Sequence, residues 1–137
     1  MSVKRIEIAV GIIIDSKKSI FVTRRAEGSH LAGCWEFPGG KVETGRGESV
    51  EAALSRELQE ETGIQVTDTS LLKTLEYDYP DRQLKLHFYI VNGWQGTPEG
   101  REGQQSCWLN VSELIDAEFP EANQPIITEL KQRYYTA

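Results

Sequence analysis

The segment between Ser49 and Gly63 constrains the fold of this 137-residue chain more than any other. Its apolar side chains recur at the spacing of one helix face, which predicts an amphipathic helix: Val50, Ala53, Leu54 and Leu58. Ser49 is suited to cap the start, and Gly63 can take the left-handed conformation that ends a helix, with Ile64 as its hydrophobic contact. The sequence therefore predicts a charged helix that starts and stops within this segment.

Three glutamates of this predicted helix, Glu57, Glu60 and Glu61, are spaced at i, i+3 and i+4 and therefore share one face. Like charges at this spacing repel each other unless cations lie between them. Hard divalent ions such as Mg²⁺ prefer oxygen ligands of this kind. The simpler interpretation is a solvated helix in which Arg56 and Glu60 form an ordinary ion pair.

The segment RELQEETGI at residues 56–64, preceded by Glu48 and by Gly39-Gly40, resembles the signature box of the Nudix hydrolase family. The match departs from the usual pattern in one place. The usual glycine stands six residues before the first glutamate, whereas Gly40 stands eight before Glu48. We therefore expect a turn at residues 44–47 that is two residues longer than usual, with the helix that carries the carboxylates unchanged.

Shorter segments in the same order extend the resemblance over nearly the whole chain and towards the MutT branch of the family: IAVGIII (8–14), TRRA (23–26), WEFPGGKVE (35–43), YPDR (79–82) and FPEANQPII (119–127). The resemblance implies an α/β fold, the Nudix-type α/β/α sandwich with a mixed sheet between helices, and a single domain over residues 1–137. It also implies hydrolysis of 8-oxo-dGTP to its monophosphate and pyrophosphate, which prevents mutagenic incorporation into DNA.

The resemblance implies a divalent ion, Mg²⁺ with Mn²⁺ able to substitute, held by one backbone carbonyl and four carboxylates: Gly40, Glu57, Glu60, Glu61 and Glu102. Arg56 would orient Glu57 rather than touch the substrate. Glu57 and Glu102 both match positions linked to catalysis or metal binding in relatives, so the proton acceptor stays open between them, with Glu57 favoured. Water would attack the β-phosphorus without a covalent intermediate.

The other residues that the resemblance assigns surround the nucleotide. Three cations match positions near the phosphates: Arg25, His30 and Lys41. Three further positions match residues at the base: Phe37, which would pack on the purine, and Asp81 and Arg82, which would close over it. We expect Ile6 and Ile8 to line the same cleft. Each has a plainer interpretation, as a solvated charge, a loop residue or part of the core.

Asn123 offers a chemical means of recognising the oxidised base, because its amide both donates and accepts hydrogen bonds. Oxidation at C8 turns guanine N7 from an acceptor into an N–H donor, while O6 stays an acceptor. One Asn side chain can then donate to O6 and accept from N7–H, whereas unmodified guanine presents two acceptors. The alternative is that Asn123, just ahead of Pro125, only caps a C-terminal helix.

The composition limits the possible partners and compartments. A formal charge of −6 argues against a polymeric nucleic acid, which is bound mainly by a surplus of Lys and Arg. Asp15 interrupts the apolar run near the N-terminus, so we expect no membrane span and no secretory signal. Cys34 and Cys107 are too few and too far apart for a zinc site and are predicted to be reduced. We expect a cytoplasmic monomer that acts on a small-molecule nucleotide and binds no membrane.

Period-two alternation predicts two strands, at 6–14 and 84–90, and weaker patterns predict three more, at 20–23, 71–77 and 106–109. A second helix is predicted from Pro125, and loops or turns at 15–19, 79–82 and 93–103. Tyr79, Trp35 and Trp108 are interpreted as core or rim residues.

Two other classes of function fit parts of the sequence. A related Nudix enzyme could cleave another nucleoside triphosphate, such as CTP or dCTP, through a different base pocket. A Nudix-type module could instead bind nucleotides without turnover. Asn123 and the YPDR turn argue against the first class. The intact acidic set argues against the second, because a pure binding module needs no base beside its metals.

Overall fold

The computed structural model describes residues 4–24, 34–114, 119 and 123–134. Its elements, in chain order, are β1 (Lys4–Ile13), β2 (Ser19–Arg24), β3 (Trp35–Glu36), β4 (Gly39–Lys41), α1 (Val50–Thr62), β5 (Gln65–Tyr79), β6 (Arg82–Gln95), β7 (Ser106–Asn110) and α2 (Gln124–Tyr134). Short 3₁₀ turns lie at Thr44–Arg46 and Val111–Glu113. No helix of these ranges is long and apolar enough to cross a membrane.

The strands form two sheets. The larger is mixed, in the order β4-β1-β6-β5, because β1 runs parallel to β6 while the other two pairs are antiparallel. The smaller is antiparallel, in the order β3-β2-β7, and an isolated bridge between Ile14 and Ile20 links the two sheets. This second sheet was not expected, because β3 is too short to show an alternating pattern and the pairing of β2 with β7 joins segments far apart in the chain.

The mixed sheet lies between the two helices, which confirms the predicted α/β/α sandwich. Alternate residues of β1 and β6 pack on the side of α2, in a buried cluster that includes Val10, Ile12, Phe88, Ile90, Ile126 and Leu130. The opposite face packs against α1, in a cluster that includes Ala9, Ile13, Val91, Ala53, Leu54 and Leu58. Burial of both faces explains the nearly continuous apolar run in β1.

Helix α1 starts and ends as predicted. The Ser49 hydroxyl oxygen accepts a hydrogen bond from the Ala52 N–H over 3.1 Å, which caps the first turn. Gly63 adopts φ of 82°, and its N–H donates to the Gln59 carbonyl, so this position favours glycine. Ile64, directly after this cap, is fully buried. The first helical turn of α2 contains Pro125, also as predicted.

The predicted bounds of β5 and β6 were wrong. β5 begins at Gln65 rather than at 71, and β6 continues to Gln95, through residues 93–95 that were predicted as loop. The two strands pair along almost their whole length through irregularities at 66–69 and 71–73, and these interrupt the alternation on which the prediction relied. The turn at 79–82 is confirmed, and Cys34 and Cys107 are free thiols.

Candidate functional site

Strand β4 brings the backbone of Gly39 and Gly40 against the acidic face of α1. The Gly39 N–H donates a hydrogen bond to Glu61 Oε2 over 2.7 Å. A Cβ atom at Gly39 would overlap the backbone of Ala9 and Val10, so the close approach of β4 to β1 requires glycine there. A Cβ atom at Gly40 would displace the Glu57 carboxyl group. Two of the predicted metal-binding carboxylates therefore lie directly beside the predicted backbone ligand.

The guanidinium group of Arg56 connects three parts of the site. Its Nε and Nη2 atoms donate to the two carboxylate oxygens of Glu48, over 2.8 and 3.0 Å. Its Nη1 donates to Glu57 Oε1 over 2.8 Å, and Nη2 also reaches the Lys41 carbonyl oxygen at 3.0 Å. This geometry fixes one oxygen of Glu57, which supports the predicted orienting role of Arg56.

Glu48 anchors the longer turn to this network. Its Oε1 atom accepts a hydrogen bond from the Glu43 N–H over 2.9 Å, across the 3₁₀ turn at Thr44–Arg46. Hydrogen bonds from Arg56 and from this backbone group lower the pKa of Glu48 to about 2. The two residues by which this turn exceeds the usual pattern are therefore accommodated within the turn itself. Glu48 still forms its hydrogen bonds with Arg56.

Glu61 carries the largest carboxylate pKa perturbation of the site. Burial raises its pKa to about 8, and the nearby negative charges of Glu57, Glu102 and Glu36 act in the same direction, against the hydrogen bond from Gly39. Concentrated negative charge in a desolvated place favours either a proton or a cation. Carboxylate oxygens are hard donors, so this environment fits a divalent ion such as Mg²⁺.

The carboxylates of α1 do not converge on one point. In the described ranges, no three His, Cys, Asp or Glu side chains are grouped so that they could hold an ion as they stand. Glu57 forms an ion pair with Arg56, and Glu61 accepts a hydrogen bond from the Gly39 N–H. The side chain of Glu60 is 57% exposed, and its Oε2 atom lies 3.6 Å from Arg56 Nη1. Mutual repulsion explains this distribution over separate partners. Joint ligation by the predicted set stays a prediction.

The segment that carries Glu102 is fastened to the C-terminal end of α1. The N–H groups of Glu99 and Arg101 donate to the carbonyl oxygens of Thr62 and Glu61, over 3.1 and 2.9 Å. These are carbonyls that a helix end leaves without an intrahelical partner. The Glu102 N–H donates to Gln104 Oε1 over 2.9 Å. The docked segment keeps Glu102 within electrostatic range of Glu61, although the two are far apart in sequence.

A cavity of about 290 Å³ opens on the other side of β4. It is lined by Ile8, Val10, Glu36, Phe37, Gly39, Gly40, Lys41, Leu86, Phe88 and Asn123. Three residues predicted to bind substrate, Phe37, Lys41 and Asn123, thus meet at one cavity. Phe37 is also a core residue, since its ring is buried and its centroid lies 5.0 Å from that of Phe119.

Some lining residues were missed by the sequence analysis. Leu86 and Phe88 lie on one face of a predicted strand, but only the pairing of β6 with β1 shows that this face lines the cavity. Glu36 was overlooked because a single glutamate in WEFPGG carries no distinguishing pattern. Ile6, which was expected in the same cleft as Ile8, does not line this cavity.

Other predicted residues lie elsewhere. Asp81 belongs to the turn between β5 and β6, where the Arg82 guanidinium lies 5.6 Å from the centroid of the Tyr79 ring. Neither Asp81 nor Arg82 lines the cavity. Arg25 and His30 fall outside the described residues, so their predicted phosphate contacts stay predictions.

Comparison with known proteins identifies relatives of this arrangement. The family model described as NUDIX domain matches residues 9–129. An 8-oxo-dGTP diphosphatase of Escherichia coli is 48% identical over 129 residues, which cover 94% of this chain and 98% of the relative. A CTP pyrophosphohydrolase of the same organism is 35% identical and covers 90% of both chains. A solved structure from work on MutT of Aliivibrio salmonicida and Vibrio cholerae is 42% identical, with a TM-score of 0.84, covering 96% of this chain and 100% of that one.

The contacts of Arg56 predict the effect of Arg56→Lys. An ammonium group cannot reproduce the paired bonds to Glu48 together with those to Glu57 and the Lys41 carbonyl, so the position of Glu57 should loosen. We expect kcat/KM for the enzyme's nucleotide substrate to fall by about 10- to 100-fold. Arg46→Lys is the matched control, since the Arg46 side chain is 83% exposed. Equal activities of the two variants would contradict the orienting role.

The raised pKa of Glu61 predicts a pH dependence of stability in metal-free protein. Between pH 4.5 and about 8, Glu61 is protonated in the folded state and ionised in the unfolded chain. The folded state then binds more protons, so the free energy of unfolding falls as pH rises through this window. Urea unfolding in the presence of a chelator should show this loss in the wild type and a smaller one in Glu61→Gln. If the free energy of unfolding depends on pH identically in both proteins, the pKa of Glu61 is not raised in the folded state.

Proposed function

The chain belongs to the Nudix family, and we propose that it hydrolyses 8-oxo-dGTP to 8-oxo-dGMP and pyrophosphate. The observation that carries this proposal is the position of β4, which has the acidic face of α1 on one side and the cavity containing Asn123 on the other. A nucleotide with its base in that cavity can extend its phosphates to the carboxylates. The match to the E. coli 8-oxo-dGTP diphosphatase over nearly the full length of both chains supports the same substrate.

Nudix hydrolases generally use divalent metal ions, and we infer Mg²⁺ for this chain, with Mn²⁺ able to replace it. Hard carboxylate and carbonyl oxygens suit both ions. The residues that would hold the ion are Glu57, Glu61, Glu60, Glu102 and the carbonyl of Gly40. When bound, the ion supplies charge neutralisation of the phosphate oxygens and a more acidic water.

Glu57 is the proposed general base. Its Oε1 atom is held by Arg56, which fixes the carboxylate relative to β4 and leaves Oε2 to accept a proton from water. Glu102 is the alternative base, on a segment fixed by backbone hydrogen bonds to the end of α1. Water would attack the β-phosphorus directly, so no residue needs to act as a nucleophile.

Cations and apolar groups would hold the rest of the nucleotide. Lys41 lines the cavity next to Gly40, which supports its proposed contact with a phosphate. Arg25 and His30 are proposed to add further phosphate contacts, and Asp81 and Arg82 to close over the base. Around the base, the cavity supplies a largely apolar lining: Ile8, Val10, Phe37, Leu86 and Phe88.

Asn123 is proposed to recognise the oxidised base. Its amide would donate to O6 and accept from N7–H of 8-oxoguanine, while unmodified guanine would present a lone pair to the amide oxygen. Because the neighbouring lining is largely apolar, an unmatched polar pair at this place is costly. A site built around such a hydrogen bond can reject the wrong base by roughly 10⁴-fold.

A second candidate is pyrophosphohydrolysis of another nucleoside triphosphate such as CTP or dCTP, which the match to the E. coli CTP pyrophosphohydrolase favours. A non-catalytic nucleotide-binding module is the third possibility.

We further propose that residues 1–137 form one Nudix domain that acts as a monomer on free nucleotides and binds neither polymeric nucleic acid nor membranes. Since nucleotide pools are cytoplasmic, we expect it to act there.

The test is Mg²⁺-dependent pyrophosphate release from 8-oxo-dGTP, dGTP and CTP at low substrate concentration, so that kcat/KM values are compared directly. We expect a strong preference for 8-oxo-dGTP. Faster turnover of CTP, or equal turnover of 8-oxo-dGTP and dGTP, would reject the proposed substrate while retaining the Nudix chemistry. Absence of turnover with all three nucleotides would favour a binding module.

The proposed reading of the base predicts the effect of Asn123→Ala. The ratio of kcat/KM for 8-oxo-dGTP to that for dGTP should fall by about 100-fold or more, while hydrolysis itself continues, because the acidic face of α1 is unchanged. Gln124→Ala is a suitable control, since this neighbouring side chain is exposed at the start of α2. If the ratio is the same in all three proteins, Asn123 has no part in recognition and serves only the helix end.

A further inference from the structure

The cavity beside β4 contains a small set of polar side chains. Among its lining residues in the described ranges, these are Glu36, Lys41 and Asn123. Lys41 can only donate hydrogen bonds, and an ionised Glu36 can only accept them, whereas Asn123 can do both. Glu36 is therefore the one lining side chain of these ranges that offers two acceptor oxygens.

An 8-oxoguanine base has two polar edges that need partners. The O6 and N7–H edge presents one acceptor and one donor, which match the amide of Asn123. The adjacent Watson–Crick edge presents N1–H and the 2-amino group, which are two donors side by side. A carboxylate accepts such a pair of donors through its two oxygens, with the added strength of a charged acceptor.

We propose that Glu36 accepts hydrogen bonds from N1–H and the 2-amino group of the base and so determines selectivity for guanine over adenine. The proposal rests on the proposed function. Asn123 distinguishes the oxidised purine from the unmodified one, and Glu36 distinguishes guanine from adenine. Adenine has an acceptor at N1 and no 2-amino group, so it would face the carboxylate with a lone pair. Such a mismatch leaves a polar pair unmatched, which costs more than the loss of one apolar contact.

The surroundings of Glu36 hold its backbone at the cavity wall. On one side it pairs with Thr23 of β2, in the smaller sheet. On the other side, the next residue is Phe37, which is buried and packed on Phe119. A carboxylate has about four acceptor positions, so an existing protein partner of Glu36 is compatible with hydrogen bonds from the base. The pairing with Thr23 and the packing of Phe37 fix the backbone at this position.

Glu36 has a competing role, because its charge also acts on Glu61 of the acidic face. A carboxylate that served the metal would affect every substrate equally and would change the Mg²⁺ requirement. A carboxylate that recognises the base would affect only substrates that carry the 2-amino group. The two roles therefore differ in a measurable substrate dependence.

The test is a cycle in which the 2-amino group is removed from the substrate and the carboxylate from the protein. kcat/KM is measured for 8-oxo-dGTP and for 8-oxo-dITP, which lacks the 2-amino group, with wild type, Glu36→Gln and Glu36→Ala. Glu76→Gln, on the exposed surface of β5, is the control for loss of a negative charge. We expect the wild type and Glu76→Gln to prefer 8-oxo-dGTP by about 10- to 100-fold, and Glu36→Ala to show a ratio near one.

Several results would overturn the proposal. A ratio near one in the wild type, or an unchanged ratio in Glu36→Ala, would assign this edge of the base to another acceptor such as a backbone carbonyl. Equal losses on both substrates with a raised Mg²⁺ requirement would assign Glu36 to the metal. Calorimetric binding of 8-oxo-dGMP and 8-oxo-dIMP gives the same comparison without turnover. If the wild type does not hydrolyse 8-oxo-dGTP, the proposed function is rejected instead. The ratio of the affinities for 8-oxo-dGMP and 8-oxo-dIMP would then still test whether Glu36 recognises the 2-amino group.

Discussion

The site depends on the hydrogen bonds of one guanidinium group. Arg56 joins the end of the turn, through Glu48, to the edge strand, through the Lys41 carbonyl, and to the acidic face of the helix, through Glu57. These three parts belong to different elements of the chain. A planar group with five donors can hold all of them at once, which a lysine cannot.

The edge strand β4 lies between this hydrogen-bond network and the cavity. Its two glycines have no side chains, so α1 can place Glu57 and Glu61 against the backbone on one side while the cavity opens on the other. The mixed sheet buries both of its faces against the helices, and β4 lies at one edge of that sheet. A nucleotide bound across this edge would bring its base and its phosphates to chemically different environments a short distance apart.

The sequence patterns predicted the features that depend only on residues close together in the chain. The limits of α1 follow from a hydroxyl cap and a left-handed glycine, and the shared acidic face follows from helical spacing. The pairing of β4 with β1 could not be predicted, because three residues carry no periodicity and their position depends on distant partners. For the same reason Glu36 escaped notice, while the spread of Glu57, Glu60 and Glu61 over different partners depends on contacts that a helix pattern does not contain.

The central claim is that Glu57, held by Arg56, removes the proton from the attacking water at a metal-dependent site. The most direct test is single-turnover hydrolysis of 8-oxo-dGTP by wild type and Glu57→Gln at saturating Mg²⁺, with 8-oxo-dGMP binding measured in parallel. We predict that the chemical step in the variant slows by about 100-fold or more while binding of the monophosphate is kept. A wild-type rate in Glu57→Gln would contradict the claim and transfer the role of base to another group, with Glu102 the first to examine.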